Sequence, residues 1–189
     1  MDLTRAAAWQ LLTEYTRSES LLKHALVVET AVRGYARTFA ESEEEWGIVA
    51  LLHDFDYERW PSLEDHPFRG SEILRERGYP EWVIRAILSH ADYSGVPREG
   101  LLEKTLFACD EMAGFITAAS LVRPSKSVLD LEPASVIKRM KDKAFARGVK
   151  RDDLRLGAEL LGLPLEAHIG NVIAFLRERA ADLGLRGTL

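Results

Sequence analysis

Apolar residues recur at intervals of three and four along most of the chain, which is the spacing of an amphipathic helix. The clearest stripe predicts a helix that ends near residue 39 and has Ser18 or Ser20 as its N-cap. Ser42 and the three glutamates after it predict the start of the next helix, because the helix dipole favours acids in the first turn. That helix is expected to continue to about Asp54. The first stripe consists of Leu21, Ala25, Val28, Val32, Tyr35 and Phe39.

The remaining pattern is helical as well. Pro67 and Pro80 predict the first residues of two short helices, and Gly78 predicts the stop between them. Further helices are predicted at about 67–77, 80–91, 101–122, 134–147, 151–161 and 164–183. No segment alternates between apolar and polar residues as a strand does. We therefore predict an all-α protein, a single-domain bundle of about eight helices.

Composition narrows the partners and the compartment. The 189 residues suit one domain, 1–189, and 47% of them are hydrophobic. The single cysteine excludes an intramolecular disulfide and suits a reducing compartment. A net charge of −5 provides no overall positive field, so we expect no nucleic-acid polymer as a partner. No apolar run is long enough for a bilayer and no signal peptide is recognisable, so we predict a cytoplasmic protein with no membrane partner.

Four of the five histidines and two aspartates form an ordered series on or beside predicted helices. Imidazole and carboxylate groups are ligands that divalent metal ions take. Asp110 lies in the middle of an apolar helix, where an unpaired carboxylate would be costly to bury. A cation would satisfy it, and so would a buried arginine or backbone donors. The series consists of His24, His53, Asp54, His66, His90 and Asp110.

The order of this series resembles the HD-domain superfamily of metal-dependent phosphohydrolases. The flanking stretches ALLHD, HPFRGSEIL and LLEKTLFACD are similar to that superfamily too. The resemblance covers about residues 20–120, which would form the metal-site core, and the helices in 134–189 are expected to pack on that core. It implies one or two divalent ions (Mn, Fe, Co, Ni, Zn or Mg). The first ion would be held by His24, His53, Asp54 and Asp110, and the second by His66 and His90, with Asp54 shared between them.

The resemblance implies hydrolysis at phosphorus, in which metal-activated water attacks a small phosphorylated metabolite or nucleotide. Asp54 is the residue on which catalysis would depend most. Arg69 is a candidate phosphate ligand because it stands at the predicted start of a helix, although a solvated role is the alternative. Arg123 and Lys126 follow the helix that bears Asp110 and are candidates on that ground. An ordinary basic loop or a helix cap is the alternative for both.

Two other functions use the same residues. A similar pattern of ligands serves mixed-valence di-iron oxygenases, and a non-catalytic nucleotide-binding regulator is the third possibility. Asp56 and Asp92 each follow a proposed ligand by two residues, so either one orients a histidine or caps a loop. His168 lies outside the series and is interpreted as structural. Cys109 has no basic neighbour in the sequence and is not expected to act as a nucleophile.

Overall fold

The computed structural model of the protein describes residues 3–189 and is all-helical across them, which confirms the predicted fold class. Nine α-helices occur in this part of the chain, one more than predicted, together with a short 3₁₀ helix at Asp92–Ser94. The α-helices are α1 (Arg5–Tyr15), α2 (Glu19–Thr38), α3 (Glu43–Leu52), α4 (Phe68–Glu76), α5 (Glu81–His90), α6 (Leu101–Leu121), α7 (Pro133–Met140), α8 (Arg151–Leu160) and α9 (Leu165–Glu178).

The chain divides into two compact units. The first unit runs to Phe107 and the second is Ala108–Leu189, so the boundary falls within α6. The predicted metal-site core therefore lies mostly in the first unit. That all 189 residues form one domain, with the last helices packed on the core, stays a prediction.

The core of the first unit forms around α3, which packs against α1, α2 and α5, while α4 pairs with α5. The middle of the predicted stripe is buried there on α2, and Val28, Val32 and Tyr35 have no exposed surface. Ile48 and Leu52 of α3 are equally buried. Burial of such apolar side chains stabilises the unit by about 1.5–3 kcal/mol each. This packing holds the end of α3 beside α2 and α5, and His24, His53 and His90 lie on these three helices or at their ends.

Local capping explains where these helices begin and end. The Ser42 hydroxyl accepts a hydrogen bond from the Glu45 N–H at 3.3 Å, so α3 begins where the sequence predicted. Gly78 has a φ of +76° and ends α4, as predicted. Pro67 and Pro80 precede their helices as N-cap residues, and the prediction that they are the first helical residues was wrong by one position.

In the second unit, α9 packs against both α7 and α8. Helix α7 ends at Met140, and the prediction that it continues to residue 147 was wrong. The Asp142 carboxylate accepts a hydrogen bond from the Ala144 N–H at 2.9 Å, which favours a turn over a helix. The Arg151 guanidinium then donates to carbonyl oxygens between residues 142 and 149 and fixes that turn.

Among the helices of residues 3–189, none is long and apolar enough to cross a lipid bilayer alone. Only α8 and α9, taken together and bent by 90°, reach the required length and composition.

Candidate metal centre

Five of the predicted ligands lie together in the first unit. His24 is on α2, His53 caps the C-terminus of α3, and Asp54 is in the turn that follows. His66 stands in the loop before α4, and His90 is the last residue of α5. Because α3 packs against α2 and α5, these helix ends and the loop deliver their polar side chains to one place.

Asp54 is the centre of this cluster. Its Oδ2 atom lies 3.5 Å from His53 Nε2 and 3.8 Å from His24 Nε2. Its Oδ1 atom lies 3.2 Å from His66 Nε2 and 3.3 Å from His90 Nε2. Each carboxylate oxygen therefore faces one pair of imidazoles. The two groups of three side chains have the composition and spacing of two metal-binding groups that share one aspartate.

Backbone carbonyls fix the protonation of two of the rings. His53 Nδ1 is 2.7 Å from the Ala50 carbonyl oxygen, and His90 Nδ1 is 2.5 Å from the Ile87 carbonyl oxygen. A carbonyl oxygen only accepts, so each Nδ1 atom must carry the proton. Nε2 of each ring faces the Asp54 carboxylate, as a donor when the ring is protonated and with a lone pair that can ligate a metal ion when the ring is neutral. A divalent cation between the neutral rings and the carboxylate would satisfy both groups.

Asp56 orients the third ring. Its Oδ1 atom accepts from His66 Nδ1 at 2.7 Å, and its Oδ2 atom accepts from the Gly70 N–H at 2.7 Å. The Asp56 carboxylate is almost fully buried, and these two hydrogen-bond donors stabilise it there. Glycine is required at position 70, because a Cβ atom there would lie 2.8 Å from Asp56 Cγ. The hydrogen bond between Asp56 and His66 confirms the prediction that Asp56 orients a histidine ring.

The electrostatics of the cluster agree with a cation site. Burial alone would raise the pKa of Asp54, but attraction to His53 and hydrogen bonds with His66 and His90 hold that pKa well below its usual value. Burial alone would lower the pKa of His66, but hydrogen bonds to Asp54 and Asp56 raise it to about 9. The carboxylates therefore stabilise positive charge at this position. The chemistry of the donor set fits a divalent metal ion.

Arg69 and Asp110 are two further residues of the predicted site. Arg69 is 53% exposed, and its guanidinium pairs with Asp65 at 3.2 Å and with Glu72 at 3.1 Å. The structure does not bring it into the histidine cluster. Asp110 is half-buried on α6 and belongs to the second unit. Its membership of the ligand set stays a prediction.

The two basic residues predicted after α6 also belong to the second unit. Arg123 forms a two-point ion pair with Asp130, at 3.1 and 2.8 Å. Lys126 lies in the turn that follows and has a φ of +50°. Their binding of substrate stays a prediction.

Three residues near the cluster have contacts that sequence reasoning missed. Arg98 donates to the His90 carbonyl oxygen at 3.1 Å and to Asp92 at 2.5 Å, and its guanidinium lies 3.6 Å from the centre of the Phe107 ring. Asp92 therefore pairs with Arg98 and does not orient a histidine ring. The other two residues are Tyr57 and Tyr93.

These two tyrosines are at the exposed side of the cluster. Tyr57 meets the His66 ring edge-on at 5.2 Å and is 40% exposed. Tyr93 is 44% exposed, and burial together with the charges of Asp54 and Asp56 raises its pKa to about 12. Asp54 itself keeps 22% of its side chain exposed, so a small molecule has access to it. The only sequence signal for these tyrosines is their position beside Asp56 and Asp92.

The residues excluded from the site behave as expected. His168 is fully buried in the second unit, and its Nε2–H donates to the Ala108 carbonyl oxygen at 2.9 Å. Burial lowers its pKa to about 4, so the ring is neutral and structural. Burial, with the nearby charge of Asp110, raises the pKa of the Cys109 thiol well above its usual value, which makes it a poor nucleophile.

Comparison with protein families agrees with this geometry. Residues 21–114 match the family model described as the HD domain. The chain belongs to the HD-domain superfamily. The match includes every predicted ligand, from His24 to Asp110, so the HD domain begins in α2 and ends within α6. No solved structure matches the chain significantly.

Proposed function

We propose that this HD-domain protein is a metal-dependent phosphohydrolase that acts on a small phosphorylated metabolite or nucleotide. The observation that carries the proposal is the Asp54 carboxylate, which has a pair of imidazole Nε2 atoms at each oxygen. HD domains are in general metal-dependent hydrolases, and these residues have the donor chemistry for such an ion. The net charge of −5 favours a small substrate over a nucleic-acid polymer.

His24, His53 and Asp54 would hold one divalent ion, and Asp54, His66 and His90 would hold a second. Asp110 is the further ligand that the family resemblance implies for the first ion. A divalent ion in such a site polarises a phosphoryl oxygen and lowers the pKa of water towards neutrality. Manganese, iron, cobalt, nickel, zinc and magnesium all accept these ligands, and so the metal is to be determined by experiment.

The side chains around the ligands would orient the histidines or bind the phosphate of the substrate. Asp56 keeps the His66 ring in one orientation and its proton on Nδ1. Arg98 ties the His90 carbonyl oxygen to the segment after α5. Arg69, Arg123 and Lys126 remain proposed ligands of the substrate's phosphate. For Arg69, substrate binding would exchange its contacts with Asp65 and Glu72 for a phosphate group.

Metal content is the first test. The protein is purified without chelator, and its metal-to-protein ratio is measured by mass spectrometry beside His66→Ala, His90→Ala and His168→Ala. We expect about two ions per chain, about one in each of the first two variants, and no change in the control His168→Ala. A ratio of one or less that is unchanged in His66→Ala and His90→Ala contradicts the two-ion site. If the protein binds no metal ion, even after reconstitution, the proposal that it is a metal-dependent enzyme is contradicted.

Turnover then separates hydrolysis from oxidation. We expect the manganese-loaded protein to release phosphate from at least one member of a panel of nucleotides and phosphomonoesters, and Asp54→Ala to abolish that release. Oxygen consumption by an iron-loaded sample without phosphate release would favour the oxygenase. Nucleotide binding with neither reaction would favour the regulator.

A further inference from the structure

A basic cavity lies within the second unit, apart from the residues assigned to the metal centre. Its volume is about 360 Å³, which is within the range of small-molecule pockets. The end of α6, the following loop and one face of α7 enclose it. Three cationic side chains, one hydroxyl and a single carboxylate provide its polar lining: Arg123, Lys138, Arg139, Ser135 and Asp142.

The α7 contribution follows from helical geometry. Ser135, Lys138 and Arg139 are spaced by three and four residues, so their side chains share one face of α7. Asp142 lines the cavity from the segment that follows the helix. Arg123 approaches from the end of α6 and joins them. Ala119 and Leu131 supply apolar surface between these polar groups. The cavity therefore combines a cationic rim with a small apolar floor.

An ion pair fixes the position of the Arg123 guanidinium. Its Nε and one terminal nitrogen donate to the two oxygens of Asp130, and the Ser125 hydroxyl donates to the same carboxylate at 2.9 Å. A guanidinium has five N–H donors, and this pairing uses two of them. The ion pair fixes the guanidinium at the cavity and leaves further donors for a ligand.

Lys138 and Arg139 have no carboxylate partner among residues 3–189. Arg139 instead lies over the Phe145 ring, 5.3 Å from its centre, and Phe145 packs edge-on against Phe115. One carboxylate oxygen of Asp142 accepts a hydrogen bond from the Ala144 N–H. Positive charge in the cavity is therefore incompletely neutralised by the protein itself.

The helix dipole does not account for the whole arrangement. Cations at the C-terminus of α7 are favourable, which explains the location of Lys138 and Arg139 in its last turn. The dipole does not explain why Arg123 converges on them from another helix, or why they surround a cavity. In a chain of net charge −5, three cations around one space need a separate cause.

We propose that this cavity binds a small anion through a phosphate group, either a free phosphate or pyrophosphate or the phosphate of a nucleotide. Arg123 and Arg139 offer planar N–H pairs for two phosphate oxygens, and Lys138 adds a point charge. The Ser135 hydroxyl supplies a further hydrogen bond. Arg123, which the proposed function assigns to the substrate's phosphate, would bind the anion of this cavity instead, and that binding requires neither the metal ions nor the hydrolysis.

The test is calorimetric titration of the full chain with inorganic pyrophosphate in the presence of a metal chelator, so that the metal centre cannot contribute. We expect saturable binding at one site. The double variant Lys138→Gln/Arg139→Gln should weaken it at least about 10-fold, since charge-assisted hydrogen bonds are lost. The matched control is Lys141→Gln/Lys143→Gln, which removes the same charge nearby but outside the cavity. It should change the affinity less than about two-fold.

A variant with the opposite effect guards against simple unfolding. Asp142→Asn removes the carboxylate of the cavity and retains an oxygen for the Ala144 N–H, so it should tighten pyrophosphate binding by about three-fold. Titrations with adenosine monophosphate and with inorganic phosphate under the same conditions distinguish the two sources of the phosphate group. Tighter binding of adenosine monophosphate indicates a nucleotide, and equal binding indicates a free phosphate. Absence of pyrophosphate binding, or equal weakening by the control pair, overturns the proposal.

Discussion

Two buried histidines, one in each unit, have pKa values that are shifted in opposite directions. His66 is 4% exposed and its pKa is raised to about 9, whereas His168 is 0% exposed and its pKa is lowered to about 4. Burial opposes protonation of both rings. The difference comes from their partners, because His66 contacts the carboxylates of Asp54 and Asp56 while His168 contacts a backbone carbonyl oxygen.

This contrast separates a structural histidine from a candidate metal ligand on physical grounds. Both rings complete a hydrogen bond in the interior, which a buried polar group needs. His66 contacts two carboxylates, with Nδ1 at 2.7 Å from Asp56 Oδ1 and Nε2 at 3.2 Å from Asp54 Oδ1. A cation is favoured where two such acceptors meet. Substitutions of the groups around these two histidines, or of His168 itself, test the contrast.

The largest effect is expected from removing the shared carboxylate. Asp54→Asn keeps the size of the side chain but removes the charge that faces all four imidazoles. We expect metal affinity to fall by at least about 100-fold, the upper end of losses for residues that only orient a ligand. Metal titration monitors it, with the exposed Asp65→Asn as control. Retention of two ions would show that Asp54 is not shared.

A smaller loss is expected from the residue behind His66. In Asp56→Asn, the amide can still accept from the Gly70 N–H, but its NH₂ group then faces His66 Nδ1 and moves the ring proton to Nε2. We expect about 10- to 100-fold weaker metal binding. Competition with a chromophoric chelator measures it. An affinity equal to that of the unchanged protein would mean that the tautomer of His66 does not matter.

The second unit gives the next effect, on stability. His168 has a depressed pKa in the folded state, so the unfolded chain takes up the proton first as the pH falls below about 6.5. Stability from this group is complete above that pH and is lost towards pH 4. At pH 5 the loss is about 2 kcal/mol. His168→Gln keeps a donor for the Ala108 carbonyl oxygen but does not titrate.

Urea unfolding at pH 7.5 and pH 5, with the metal removed, measures this loss. The unchanged protein should lose about 2 kcal/mol more unfolding free energy than His168→Gln over that interval. The metal content per chain should be the same for both proteins. An equal loss in the two proteins would show that His168 does not titrate on unfolding, and a loss of metal would place it in the site.

The smallest effect is expected from Arg98→Lys. Lysine keeps the charge but cannot donate to the His90 carbonyl oxygen and Asp92 with one planar group. Since Arg98 acts on the backbone of His90 and not on its ring, we expect metal affinity to weaken by only about two- to five-fold. The exposed Arg75→Lys is the control. A loss as large as that of Asp56→Asn would give Arg98 a direct part in the site.

Sequence reasoning succeeded where a few neighbouring residues determine the structure. Ser42 and its glutamates define the start of α3 locally, and Gly78 ends α4 through its own backbone. The end of α7 could not be predicted in this way, because Arg151 fixes the following turn from beyond it. Helix α1 was not predicted, although it too begins with a local signal, since the Thr4 hydroxyl accepts a hydrogen bond from the Ala7 N–H.

The ligand series could be predicted because residue type and order carry most of its chemistry. Four histidines of the series meet around Asp54, as the resemblance implied, while Asp110 and the proposed phosphate ligands remain predictions. The orientation of the rings could not be predicted. It depends on carbonyl oxygens such as that of Ala50, which the sequence does not distinguish from any other. The contact of Arg98 with the His90 carbonyl oxygen likewise exists only once the segment has folded.

Gly70 has a consequence for protein engineering. A designer who grafts this centre onto another helical scaffold would copy the histidines and aspartates and leave position 70 free for a good helix former such as alanine. The added methyl group would lie 2.8 Å from Asp56 Cγ and displace the carboxylate from the His66 ring. The transplant therefore has to include a residue with no side chain, which no inventory of functional groups would specify.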